Sequence, residues 1–504
     1  MKNNSIKNIT IVGGGSSGWM TAMYLQRLYN KSGAEVNITL IESQDIGTIG
    51  VGEATVHSIR FFFAAMGLDE NELIKETNAT LKSGIMFRNW MKPRNGSIHQ
   101  YFHPFEQQRP LGPIDNASTW IHTRNHNQQY AEATSLSSTI IANDHCPKAL
   151  TSQPYQGVIP YGYHLDATLM GRYLRKKACE AGVTHVETTV MDVLHDGENI
   201  TSIVTPIGSF TADIYIDCTG FKGLLIDKLK KDNWISFEQE LPCNKAVAIQ
   251  RKYKYGQKPK PYTLATALSN GWAWEIDLDN RQGTGYVYDG KRLTEAEAEA
   301  ELKQHLGDEL EVLKTVHLDM KVGCRKEFWV GNCIAVGLSG GFIEPLESTG
   351  LHIINVGVRL LATHLSTANP PQTVKDSYNR VLSGLYEDLR QFIVLHYCLT
   401  DRDDTDFWKQ ASQSAKYAKG LQEKIQLWKH KTCEFMDLAG SFNTIFTDEN
   451  YRFVLYGMEH IPEVSLPVSE KELQATLARL NAQQKQALAA TISHEKFLAN
   501  VKHN

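Results

Sequence analysis

Short apolar runs recur at widely separated points of the chain. Ile9-Thr10-Ile11-Val12 is largely β-branched and predicts a strand, with residues 19–29 following as a helix. Further strands are predicted at Asn37-Ile38-Thr39-Leu40-Ile41, Asp213-Ile214-Tyr215-Ile216-Asp217 and Cys333-Ile334-Ala335-Val336-Gly337. Residues 294–306 read as a helix, because Thr294 and Glu297 form a capping box and Gly307 suits the stop. Ser469 and Glu472 make a similar start before Leu473, Leu477 and Leu480, while residues 348–350 open an apolar helical pattern through Leu351, Ile354, Val358 and Leu361. The pattern predicts an α/β core with a helical layer toward the end of the chain. No internal repeat or low-complexity linker marks a boundary.

The turn after the first strand carries chemistry. Gly13, Gly15 and Gly18, with Ser16 and Ser17 between them, fit G-x-G-x-x-G. The first glycine permits the turn, the second lets backbone approach a pyrophosphate, and the third lets helix and strand pack closely, with the helix start facing the anion. The second strand then delivers Glu42 to accept hydrogen bonds from a ribose. Two later turns also suit close approach to a nucleotide: Cys218-Thr219-Gly220-Phe221, and Leu338-Ser339-Gly340-Gly341 after the fourth strand. Taken singly, each is equally an ordinary strand-to-helix turn.

Composition narrows the class. A chain of 504 residues with 42% hydrophobic content buries a large core. Net charge of −4 and a pI near 6.5 leave no broad basic footprint for nucleic acid or an anionic membrane. The expected partners are small molecules. Eight cysteines without a C-x-x-C pair suggest neither a zinc site nor a redox motif, so no metal is expected and a reducing cytoplasm fits. The polar start and the lack of a window near the roughly 20 apolar residues that span a bilayer predict a soluble protein.

Further motifs run in order along the chain: Gly50-Val51-Gly52-Glu53-Ala54-Thr55, residues 81–90 around Lys82, Tyr163-His164-Leu165-Asp166, Gly271-Trp272-Ala273-Trp274-Glu275-Ile276, Glu344-Pro345-Leu346-Glu347-Ser348-Thr349-Gly350 and Arg402-Asp403-Asp404-Thr405-Asp406-Phe407-Trp408. With the glycine turn and Asp217-Cys218-Thr219-Gly220-Phe221, they make the chain resemble the flavin-dependent halogenases of the tryptophan halogenase family. The resemblance implies an FAD-binding, Rossmann-like α/β module, similar to the aromatic hydroxylases, joined to a mainly helical substrate region. In chain order that is an FAD-binding core over residues 1–380, with substrate-binding insertions at about 82–160 and 235–330, and a helical layer over 381–504. It implies FADH2 from a separate NAD(P)H-dependent flavin reductase. Oxygen would form a flavin hydroperoxide, and a halide, bromide or chloride, would attack it to give hypohalous acid. A homodimer is one assembly compatible with the sequence.

The resemblance also assigns residues. Lys82 matches the essential lysine, where an ammonium polarises hypohalous acid or a neutral amine becomes a haloamine, and burial favours the neutral form. Glu347 matches the active-site carboxylate that orients the lysine and takes the ring proton. Thr349 and Gly350 match the halide site, at a helix start with free N–H groups. Gly50 and Ala54 of a strap, Val190, Gly220, Leu338 and Leu351 match positions that touch FAD. Trp272 and Trp274 match the indoles that shield the flavin. Two departures stand out: Asp277 and His57 occupy positions where relatives usually carry proline.

His103 and Phe105 resemble the residues that sandwich the arene, with Ser348 nearby, and ring stacking suits an indole or phenol. Residues 433–450 show no tyrosine pair and no evident acid to hold the charged ends of free tryptophan. Losing such partners costs about 1.5–3 kcal/mol each. Indole or a substituted indole is therefore the expected substrate. Rival readings are a free-tryptophan halogenase, an FAD-dependent aromatic hydroxylase, and a non-catalytic flavin-binding module.

Overall fold

Ile9, Thr10, Ile11 and Val12 are all buried, as a strand covered on both faces requires. In this computed structural model, which describes residues 5–31, 33, 35–44, 52–106, 115–123, 128–307, 311–418, 420–438, 446–464 and 469–503, they lie inside a six-stranded sheet. Its order is Trp329–Val330, Cys333–Ala335, Ile214–Asp217, Asn8–Val12, Asn37–Glu42 and Thr184–Glu187, parallel apart from the first strand. All four expected strands are therefore neighbours in one sheet. The first helix runs over Ser16–Asn30 and so begins three residues before the predicted start, inside the glycine turn itself.

A second sheet has seven strands, in the order Val312–Asp319, Lys245–Arg251, Gln282–Tyr288, Gly271–Asp277, Thr263–Leu268, Gly84–Arg88 and Gln100–Pro104. All its pairings are antiparallel except that of Thr263–Leu268 with Gly84–Arg88. A small third sheet places Gly162–Asp166 between Gly52–Ala54 and Thr80–Lys82. Gly50, the other strap residue assigned to FAD, lies outside the described residues.

From Gly350 onward every described regular element is helical, including Gly350–His364, Gln372–Cys398, Asp448–Gly457 and Glu470–Ala490. Both expected capping boxes form, at Thr294 and at Ser469. One apolar core joins the layers, with Trp19, Phe87, Trp272, Val358 and Phe392 in the same cluster. Arg402 ties the helical layer to the sheets: it donates to the Asn89 carbonyl, pairs with Asp404 and lies over the Trp408 ring, whose indole N–H donates to the Leu268 carbonyl. All eight cysteines are free, and among the described residues no helix is long and apolar enough to cross a membrane.

Candidate active site

Three turns at the carboxyl ends of the parallel strands converge. Gly13 has φ +111°, and a Cβ there would stand 2.2 Å from the Cys218 carbonyl oxygen, so the first turn sits directly on the third strand's turn. A Cβ on Gly18 would lie 1.9 Å from the Gly13 carbonyl oxygen, which is the close strand-to-helix contact the motif is for. Gly337 abuts Ser17, and Ser339 donates to the Asp217 carbonyl. Around Gly15 and Gly220, by contrast, the space is open. No side chain caps the helix start at Gly15, so its N–H groups face outward. Glu42 ends its strand beside Gly14, with Oε1 2.8 Å from His185 Nε2. Leu338 is half-buried in the 3-10 turn Gly337–Ser339, Leu351 is buried, and Val190 packs against the cluster containing Val12 and Ile41. This cradle fits the pyrophosphate and ribose of FAD at the crevice where α/β sheets take nucleotides.

Lys82 is the last residue of the strand Thr80–Lys82, and it is completely buried. That strand pairs with Gly162–Asp166, which on its other edge pairs with the strap strand Gly52–Ala54. Lysine and strap are thereby fixed to one piece of backbone. Asp277, where proline was the usual residue, completes the strand Gly271–Asp277; its carbonyl accepts from Thr80 Oγ1 at 2.6 Å. The Lys82 amine donates to Ser348 Oγ at 2.7 Å and lies 5.1 Å from the centre of the Phe105 ring. Burial drives the amine's pKa from 10.5 down to about 7, against an opposing pull from the Glu347 charge.

Glu347 closes a 3-10 turn, Pro345–Glu347, and Ser348 then takes φ 59°, a left-handed bend that is costly for a residue with a Cβ. The bend aims Ser348 at Lys82 and starts the helix Gly350–His364. Glu347 does not touch Lys82. It accepts instead from His103 Nδ1 at 2.9 and 3.0 Å and from His396 Nε2 at 2.8 Å. Burial alone would raise its pKa, but the electrostatic pull and N–H bonds of the two histidines outweigh it and hold the carboxyl at about 2. Thr349 Oγ1 is buried without a hydrogen-bond partner, and the space beside Gly350 is open. These two features, at an uncapped helix start, suit a halide.

Trp272 and Trp274 lie 6.2 Å apart, ring centre to ring centre. Trp272 donates to Glu344 Oε2 at 3.1 Å, and Tyr397 donates to the same oxygen at 2.5 Å. Burial pushes the Glu344 carboxyl up to about 7. The Trp274 ring covers Gly285, where a Cβ would be 2.1 Å from it. His57, at the other proline position, sits against Phe105 with ring centres 5.8 Å apart, and the same Phe105 ring lies by the Lys82 amine.

Phe105 reaches the lysine, whereas His103 reaches Glu347 and is surrounded by Phe392, Phe446 and Phe453. Residues 433–450 do hold one buried acid, Glu449. Its carboxylate is already committed, accepting from Tyr130 at 2.6 Å and Arg452 at 3.2 Å. The neighbouring Asn450 meets His103 instead, at 2.9 Å. Sequence reasoning also missed His396 and Glu344. For His396 the signal was a polar group on an apolar face: it follows Leu389 and Phe392 at helical spacing, and all three are buried.

The model of the family described as tryptophan halogenase matches residues 8–472. The tryptophan 6-halogenase SttH of Streptomyces toxytricini is 34% identical over 452 residues, covering 85% of each chain, and its crystal structure superposes with a TM-score of 0.91 over 99% of this chain and 100% of that one. The tryptophan 7-halogenase RebH of Lentzea aerocolonigenes is 33% identical over 504 residues, covering 94% of this chain and 93% of that one. BrvH, a flavin-dependent halogenase from Brevundimonas sp. BAL3, is 31% identical with a TM-score of 0.87 over 99% of this chain and 100% of that one. The chain belongs to the tryptophan halogenase family of flavin-dependent enzymes.

Proposed function

We propose that this protein halogenates a small electron-rich arene, indole or a simple substituted indole, with Lys82 handling the oxidised halogen and Glu347 taking the ring proton. The observation that carries this reading is the buried Lys82 amine, titrating near 7, bonded to Ser348 beside an open helix start. FAD is held by Gly13, Gly15, Ser16, Ser17, Gly18, Glu42, Ala54, Val190, Gly220, Leu338 and Leu351. Bound as FADH2 delivered by a separate reductase, it supplies with O2 the oxidising power that turns halide into hypohalous acid. Thr349 and Gly350 hold the halide, and Trp272 and Trp274 screen the flavin from the arene.

The neutral amine exchanges one hydrogen for halogen and releases water. The arene then takes the halogen as the N–X bond breaks, and the ring proton passes to Glu347 and returns to the amine. A carboxylate as weakly basic as Glu347 suffices, because a protonated arene is a far stronger acid than a carboxylic acid. His103 and Phe105 stack on the ring, with Ser348 alongside.

SttH and RebH are named for tryptophan. Here Glu449, the buried acid beside Asn450, is paired with Arg452, which supports a substrate lacking an amino-acid ammonium. Bromide, the more easily oxidised halide, should give the higher yield. The test combines protein, FAD, a flavin reductase with NADH, oxygen and bromide or chloride with an arene panel that includes indole and L-tryptophan, read by mass spectrometry. Halogenated indoles exceeding halogenated tryptophan are expected; the reverse order would reject the substrate assignment. Lys82→Ala should abolish halogenated product while flavin oxidation continues, and halogenation at normal yield would reject the role of Lys82.

A further inference from the structure

We propose that His396 is a positioning residue that donates from both ring nitrogens and so sets a positive charge against Glu347, sparing Lys82 from acting as the counter-cation so that it stands as a free amine. The inference rests on the halogenase reading for its consequence and on hydrogen-bond geometry for its substance.

The protons can be assigned one by one. Asn450 Oδ1 accepts from the Thr447 backbone N–H at 2.9 Å within a capping box, so the amide nitrogen of Asn450 is the atom that faces His103. An amide N–H2 only donates; His103 Nε2 must therefore be the acceptor, at 2.9 Å, and its proton sits on Nδ1, where it is shared between both oxygens of Glu347. His396 is held differently. Its Nδ1 lies 2.9 Å from the carbonyl oxygen of Phe392, which can only accept, so Nδ1 carries a proton. Its Nε2 lies 2.8 Å from Glu347 Oε1. Glu347 is ionised, with its carboxyl held at about 2, so its oxygens only accept and the hydrogen in that last contact belongs to Nε2. Both nitrogens of His396 donate, and the ring is an imidazolium.

The surroundings favour that charge. His396 lies in the last turn of the helix Gln372–Cys398, where the helix dipole stabilises a cation. The Phe87 ring lies 4.9 Å away, centre to centre, at an interplanar angle of 36°. Other titratable groups face the cluster from every element around it. They are Lys82, His103 and Tyr101 from the strands, His164 beside the lysine, and Glu344 with Tyr397 on the far side. Burial and the nearby Lys82 hold His164 neutral, and burial raises the Tyr101 hydroxyl well above its usual range. Glu347 is thus answered at 2.8 Å by His396, whereas the amine of Lys82 is bonded to a hydroxyl.

Nitrogen NMR of histidine-labelled full-length protein tests this, with His396→Gln, which keeps a donor but no charge, as assignment and functional variant. At the pH of the halogenation assay the wild type should show one histidine with both ring nitrogens protonated and bonded, a signal absent from the variant. In single-turnover halogenation, the acid limb of the pH profile should move up by about one unit or more in His396→Gln, because Glu347 then draws on the lysine for its cation. A neutral histidine signature overturns the proposal, as does an unshifted profile in a folded variant. Should the variant not fold, the wild-type spectrum decides alone. A charged His396 in a chain that halogenates no arene would count against the proposed function and leave this assignment standing.

Discussion

Among the described residues, no carboxylate oxygen lies within ion-pair distance of the Lys82 amine, although the residue is fully buried. Such a group costs stability. The folded amine titrates near 7 and the unfolded one at 10.5, so between these values the unfolded chain binds the extra proton and wild-type stability rises with pH. Lys82→Met should abolish halogenation yet raise the melting midpoint, through a stabilisation of about 0.5–2 kcal/mol, with the advantage shrinking as pH approaches 10. Product formation by the wild type should fall about tenfold per pH unit below about 7, as the amine takes up its proton; single-turnover assays across that range check this. The role proposed for Lys82 was legible because it came with a motif. His396 was not, since what marks it is a meeting with Glu347, 49 residues away in sequence, that only the packed helix creates.

At the scale of elements, local chemistry was readable and long-range pairing was not. The glycine turn and both capping boxes depend on residues three to five apart, and each formed where the sequence placed it. The strand Gly162–Asp166 pairs with partners about a hundred residues away, which no short window contains. Two substitutions probe elements rather than single contacts. Gly18→Ala drives a methyl group into the Gly13 carbonyl and should lower FAD affinity at least tenfold, measured by flavin fluorescence titration. Gly285→Ala collides with the Trp274 ring; with that ring displaced, the reductase-coupled assay should consume NADH at a normal rate while releasing more hydrogen peroxide per product formed.

For the whole molecule, the parallel sheet supplies a nucleotide cradle, the antiparallel sheet supplies Trp272, Trp274, His103 and the strand after Lys82, and the helical layer supplies His396 and Asn450. The candidate site lies where all three meet, so its full membership required the tertiary structure. A Cβ on Gly162 would lie 2.6 Å from the Thr55 carbonyl oxygen, between strap and lysine strand. Gly162→Ala should therefore separate NADH consumption from product yield, with peroxide rising and secondary structure by circular dichroism unchanged.

That narrow three-stranded sheet has a practical corollary. Because cofactor strap and lysine hang from opposite edges of a single short ribbon, the proposed chemistry predicts that loosening the ribbon lets a corrosive oxidant escape into the surrounding water. Gentle heating or mild denaturant should consequently turn the protein into a source of bleach well before it melts.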